Sequence, residues 1–147
     1  MKKITFDTIS DVLRFAISEE QNAIRYYTQQ AQSTTNYEKR TLWEQLATDE
    51  IRHKAILSNV LEQELLGDKE INLIIDLDQT EIYHSEEVSD LNEVIYEAIK
   101  AEEQACKMYL DLANITDNDH IKGVLITIAS EEKAHRDSLI NDLNIQK

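Results

Sequence analysis

Apolar residues recur at alternating spacings of three and four along four stretches of this chain. The first stripe is Leu13, Ala16, Ala23, Tyr27 and Ala31, and the second is Leu42, Leu46, Leu57 and Val60. The third is Ile95, Ala98, Ala105, Tyr109 and Leu112, and the fourth is Leu125, Ile128 and Leu139. Such spacing places each set on one face of an α-helix. Start signals agree with it: Thr8 with Asp11, Thr35 with Glu38, Asp90 with Glu93, and Asp117 before the last stripe. Gly67 is a natural stop for the second helix. The pattern predicts helices over about 8–33, 36–66, 91–115 and 118–144, with a connection over 67–90.

Every stripe is interrupted by acid or imidazole at a position that should face inward. Glu20 breaks the first, Glu50 and His53 the second, Glu102 the third, and Glu132 and His135 the fourth. The second half repeats the first at an offset of 82 residues, without insertion or deletion across the six. Val12/Val94, Ala16/Ala98, Ile17/Ile99, Ala23/Ala105, Tyr27/Tyr109, Ala31/Ala113, Ala47/Ala129, Leu57/Leu139 and Leu61/Leu143 are identical pairs at that offset. The chain is one helical hairpin written twice.

Residues 68–89 have no counterpart in the repeat and contain the apolar run Ile71-Asn72-Leu73-Ile74-Ile75. A helix of about 25 residues is about 37 Å long. A segment of this length, extended at about 3.3 Å per residue, runs the whole length of such a helix. The expected architecture is therefore all-α: a four-helix bundle of two hairpins joined by a long crossover. The apolar run is expected to pack on the bundle or to pair with another chain.

Glu20 and Glu50 stand fifteen residues before and after the first turn, near residue 35, and Glu102 and Glu132 stand likewise about residue 117. Equal distance from the turn of an antiparallel hairpin means equal height. His53 and His135, three residues beyond their glutamates, share those faces. Six potential ligands thus meet at one level. Four buried carboxylates without partners would repel one another and cost several kcal/mol or more. Two divalent cations would neutralise them, and carboxylate with imidazole suits iron, manganese or zinc. The repeat selects among adjacent acids, because Glu19 maps to Ala101 and Gln21 to Glu103. Asp49 and Glu131, before each histidine on its helix, are candidates to orient an imidazole or simply solvated residues. Tyr27 and Tyr109 are candidates to hydrogen-bond a ligand carboxylate or to fill the core. Ala23 and Ala105 leave room beside the ligands or allow close helix packing.

Composition narrows the field. With 147 residues the chain is long enough for one domain spanning residues 1–147. A net charge of −14 disfavours nucleic acid and anionic membrane surfaces. Absence of an apolar stretch near the N-terminus predicts no signal peptide, and no run is long enough to span a membrane. One cysteine, Cys106, excludes an intrachain disulfide or a cysteine-ligated iron site and fits a cytoplasmic location.

The stretches Ala16 to Tyr27 and Leu46 to His53, with their second copies Ala98 to Tyr109 and Ile128 to His135, resemble the rubrerythrin-type branch of the ferritin-like superfamily. The resemblance covers nearly all of the chain except the crossover. It implies a ferritin-like bundle and a non-haem dinuclear iron site with Glu20, Glu50, His53, Glu102, Glu132 and His135 as ligands. It also implies an oxidoreductase that reduces hydrogen peroxide or O2, and a homodimer. Rubrerythrins add a rubredoxin domain with four cysteines, which this sequence lacks, so electrons are expected from an external donor such as a rubredoxin-type protein. The extra glutamate that rubrerythrins carry one turn after the third-helix ligand is Ala105 here, and the haem-binding Met of bacterioferritins is Ile51. The competing readings are a ferroxidase serving iron binding or storage, and a non-enzymatic helical module with a structural metal.

Overall fold

A computed structural model describes residues 3–63, 70–76 and 91–145. In chain order the elements are β1 (Lys3–Thr8), α1 (Ile9–Ser33), α2 (Tyr37–Glu62), β2 (Glu70–Asp76), α3 (Leu91–Ile115) and α4 (Asp119–Ile145). The helices form a four-helix bundle in which α1 packs along α2 and α3 along α4, with α2 and α4 also touching.

Local chemistry sets the ends. Thr8 Oγ1 accepts from the Asp11 backbone N–H at 3.1 Å, the cap its sequence predicts. The other two visible caps fall one residue later than expected. Asn36 Oδ1, not Thr35, accepts from the Lys39 N–H at 3.0 Å, and Asn118 Oδ1, not Asp117, accepts from the Ile121 N–H at 3.0 Å. Asparagine caps better than threonine and about as well as aspartate, and in both turns a preceding threonine holds the asparagine: Thr34 Oγ1 accepts from the Asn36 N–H, and Thr116 Oγ1 from the Asn118 N–H. Helix α2 ends at Glu62 with Gln63 as its C-cap, short of Gly67. Gly67 and Asp90 lie outside the described residues.

Two apolar clusters fill the interior. One joins Ile9, Val12, Leu13 and Ala16 of α1 to Leu57 and Val60 of α2, Leu112 of α3 and Leu125 of α4. The other joins Ala23, Tyr27 and Ala31 of α1 to Trp43 and Leu46 of α2, Ile95 and Ala98 of α3 and Leu139 of α4. The start of α1 therefore lies beside the ends of α2 and α3. Val60, near the end of α2, and Val94, near the start of α3, belong to different clusters. Helix α2 therefore ends at one end of the bundle and α3 begins at the other.

Between α2 and α3, β2 pairs antiparallel with β1 of the same chain, with Lys3 opposite Asp76 and Phe6 opposite Leu73. The register shifts between Phe6 and Thr8, where β1 turns into α1. A two-stranded ribbon was not expected from the sequence, where residues 71–75 read as a segment to pack on the bundle or pair with another chain. Such a ribbon is marginal alone. Phe6 anchors it: the side chain is buried in the first cluster, and its ring lies 5.3 Å from that of Phe15. Among the described residues, no helix is long and apolar enough to cross a membrane.

Candidate metal centre

Between the two apolar clusters lies one polar layer. Glu20 from α1, Glu50 and His53 from α2, Glu102 from α3, and Glu132 and His135 from α4 are all at most 6% exposed. The structure brings all six together. Their ligand-type atoms fall into two overlapping quartets, each spanning no more than 4.8 Å. Glu20, Glu50, His53 and Glu132 make one, and Glu50, Glu102, Glu132 and His135 make the other. Glu50 and Glu132 belong to both. The sequence placed the six at one height but did not show which two carboxylates are shared.

Each of the six contributes one buried atom that lacks a well-aligned hydrogen bond. These are Glu20 Oε2, Glu50 Oε1, His53 Nδ1, Glu102 Oε2, Glu132 Oε1 and His135 Nδ1. Several approach one another closely all the same: His53 Nδ1 is 3.0 Å from Glu132 Oε1, and His135 Nδ1 is 3.0 Å from Glu50 Oε1. Buried polar groups are normally satisfied, and six such atoms converging on one space is the donor set of a cation site.

The remaining atoms of the same side chains are held. Tyr27 Oη donates to Glu102 Oε1 and Tyr109 Oη to Glu20 Oε1, both at 2.5 Å. Each tyrosine thus crosses from its own hairpin to the glutamate of the other. The imidazoles are held in the same crossed manner. His135 Nε2 lies 2.9 Å from Asp49 Oδ2, and His53 Nε2 lies 3.4 Å from Glu131 Oε1. A carboxylate accepts, so Nε2 is the donor in each contact, and a metal ion in the layer would take the Nδ1 lone pair in place of a second proton. Asp49 and Glu131 do orient histidines, but those of the opposite hairpin. Arg52 was not singled out by the sequence, since its repeat counterpart is Ala134. Its guanidinium forms a close ion pair with Glu131 and lies 3.7 Å from Asp49.

Electrostatics register the crowding. Burial, then the charges of neighbouring glutamates, pushes Glu20 and Glu132 well above the ordinary carboxyl range and raises Glu102 as well. Burial would raise Glu50 too, but its contacts with Glu20, both histidines and Glu132 outweigh it and hold this carboxyl low. Burial pulls the His135 imidazole down, yet contact with Glu102 and Glu50 raises it to about 11. Neighbouring Glu19 is half-buried, and loss of water lifts its carboxyl to about 7 against the bond from Asn22. The layer therefore favours neutralisation of its carboxylates, by protons or by bound cations.

Among the described residues, the other candidates add no ligand atom to the layer. Ala23 is buried beside Glu20, and Trp43 stacks on Tyr27 with ring centroids 5.6 Å apart, as core filler should. Cys106 is half-buried and packs against the first apolar cluster. His120 is exposed at the start of α4, and His84 lies outside the described residues.

Known proteins bear on this geometry. In fold the chain is similar to a Thermotoga maritima protein whose name assigns it provisionally to the ferritin-like diiron-carboxylate proteins. The TM-score is 0.81 at 24% identity, covering 95% of this chain and 97% of that one. It is also similar to a hypothetical protein from Pyrococcus furiosus, with TM-score 0.76 at 22% identity, covering 94% of this chain and 89% of the other. No curated protein matches the sequence significantly. The sequence model of the ferritin-like domain matches residues 8–146, and with all four helices inside that span the chain belongs to the ferritin-like family.

Proposed function

We propose that the polar layer is a dinuclear metal centre, iron in the first instance, and that the protein is an oxidoreductase that reduces hydrogen peroxide or O2. One observation carries this reading: two quartets of ligand atoms share Glu50 and Glu132. Glu50 and Glu132 would help to hold both ions, while Glu20 with His53 and Glu102 with His135 would each help to hold one. Four ionised carboxylates balance two divalent cations, which relieves the repulsion that lifts Glu20, Glu102 and Glu132. The diiron wording of the Thermotoga protein's name is consistent with this set.

A redox-active pair supplies two electrons at one place, as cleavage of a peroxide bond requires. Hydrogen peroxide takes two electrons and two protons, its O–O bond breaks, and two waters leave. An external one-electron carrier of rubredoxin type returns the electrons. The chain's own residues position and shield. Tyr27 fixes one oxygen of Glu102 and Tyr109 one oxygen of Glu20, Asp49 and Glu131 fix the imidazoles, and the apolar clusters on both sides exclude bulk water.

Anaerobic titration with Fe²⁺ should reach two ions per chain, and hydrogen peroxide should then oxidise them with growth of a near-ultraviolet band. Glu50→Ala combined with Glu132→Ala should abolish two-metal binding. Retention of two ions by that double variant would overturn the ligand set. Two bound ions that react no faster than free iron would overturn the oxidoreductase reading, and iron oxidation by O2 without peroxide turnover would favour a ferroxidase instead.

A further inference from the structure

Much of the polar layer is symmetric. The repeat pairs Glu20 with Glu102, Glu50 with Glu132 and His53 with His135. The tyrosine contacts to Glu102 and Glu20 have the same length, 2.5 Å. Arg52 departs from this symmetry, because the matching position on α4 is Ala134. Helix α2 thus carries a cation beside the layer where α4 carries none.

Arg52 meets both carboxylates that hold the imidazoles, but unequally. With Glu131 it forms a fork: Nη1 donates to Oε2 at 3.5 Å, and Nη2 donates to Oε1 in a closer contact. Glu131 Oε1 is also the oxygen that faces His53 Nε2, at 3.4 Å. Guanidinium and imidazole therefore compete for one oxygen. Asp49 divides its oxygens instead. Oδ2 lies 2.9 Å from His135 Nε2, while Oδ1 accepts from Gln45 Nε2 at 3.4 Å and stands 3.7 Å from Arg52 Nη2. A fork fixes two planar groups against each other, so it has an effect that single surface ion pairs lack. A carboxylate drawn to a guanidinium lends less negative charge to its imidazole, and the other ring nitrogen becomes the poorer donor.

Resting on the dinuclear reading of the layer, we infer that Arg52 is a positioning residue that makes the two metal positions unequal. By drawing Glu131 from His53, it leaves the quartet of Glu20, Glu50, His53 and Glu132 the weaker position. The quartet of Glu50, Glu102, Glu132 and His135, served by Asp49, fills first. Arg52 belongs to neither quartet and acts through Glu131. The repeat also says how to reverse the effect. Under the 82-residue offset, the pair of Arg52 with Glu131 corresponds to a pair of residue 134 with Asp49. Ala134 is exposed, so an arginine there has room to reach Asp49 and draw it from His135.

The test titrates zinc into the metal-free protein carrying isotope-labelled histidine. Zinc is redox-inert, and the readout is the nitrogen resonance of each imidazole rather than activity. His53→Gln and His135→Gln assign the two signals. Carboxylates that orient ligating histidines are typically worth about 10–100-fold in metal affinity. At one zinc per chain, wild type should load the His135 side in preference to the His53 side by about tenfold. Arg52→Ala, which gives both helices the same residue, should cut that preference to about twofold or less. Ala134→Arg should cut it as well. The double variant, which moves the arginine from α2 to α4, should reverse it.

Equal loading of both imidazoles in wild type would refute the inequality. A folded Arg52→Ala protein that keeps the wild-type preference would refute the role of Arg52. Should Arg52→Ala fail to fold, Ala134→Arg decides alone, and an unchanged preference there sinks the inference. Failure of the dinuclear reading looks different: neither imidazole would respond, or wild type would saturate below two zinc ions.

Discussion

Asp49 and Glu131 are equivalent in the repeat, yet their environments differ. Asp49 sits 2.9 Å from His135 Nε2, a short charge-assisted contact. Glu131 sits 3.4 Å from His53 Nε2 and spends much of its charge on Arg52, which has no counterpart in the second hairpin. Carboxylates that orient ligating histidines are typically worth about 10–100-fold in metal affinity. Asp49→Ala should lose affinity within that range, and Glu131→Ala should lose less, because its contact with the imidazole is longer and its pair with Arg52 is the closer one. Competition against a chromophoric chelator measures both. Equal losses would mean that the crossed contacts do not tune the site as their lengths suggest. At this scale the sequence was legible for the residues that repeat with identical type, such as Glu20/Glu102 and Tyr27/Tyr109. It was silent on Arg52, because an offset that pairs Arg52 with Ala134 carries no signal. It was also silent on partner choice. Position along a helix gives height, whereas the crossing of Asp49 to His135 depends on how α2 and α4 are rotated against each other.

The hairpin turns show how an element boundary can be present in the sequence and still be misread. Thr34-Thr35-Asn36 and Thr116-Asp117-Asn118 match at first and third positions under the 82-residue offset. Thr35 and Asp117 look like caps one at a time, but the identical pair is Asn36 and Asn118, and these are the caps. Loss of such a cap costs about 1 kcal/mol. Asn36→Ala and Asn118→Ala should each cost that much in urea denaturation. The two caps begin helices near different apolar clusters, so the double variant should lose about 2 kcal/mol, the sum expected of separate sites. A double variant no worse than either single one would show that the two hairpins do not unfold together. The ribbon was hidden for another reason. Strand pairing between residues 3–8 and 70–76 is non-local, and neither segment has a turn signal that points to the other. The stripes of the helices, in contrast, are local periodicities and were readable directly.

In the molecule as a whole, a charged layer divides the apolar interior into two clusters, and this arrangement sets function against stability. Without metal, burial and the charges of Glu102, Glu50 and Glu20 hold the Glu132 carboxyl well above its ordinary range, so its ionised form is disfavoured in the fold. Glu132→Gln keeps the shape, removes that charge and removes a carboxylate common to both quartets. The two effects have opposite signs. Metal-free Glu132→Gln should melt at or above the temperature of metal-free wild type at neutral pH, because folding of wild type must take up a proton on Glu132 that the unfolded chain does not hold, or else bury its charge. With metal the order should reverse. A ligand at a hundredfold excess over its dissociation constant stabilises by about 2.7 kcal/mol, and wild type should gain at least that much. The variant should gain little, since each quartet keeps only three of its four residues. Thermal melts of both proteins, with chelator and with excess Fe²⁺ under anaerobic conditions, give the four midpoints. A variant that is less stable than wild type without metal would show that the layer is satisfied by its own hydrogen bonds. A variant that gains as much as wild type on adding metal would remove Glu132 from the site.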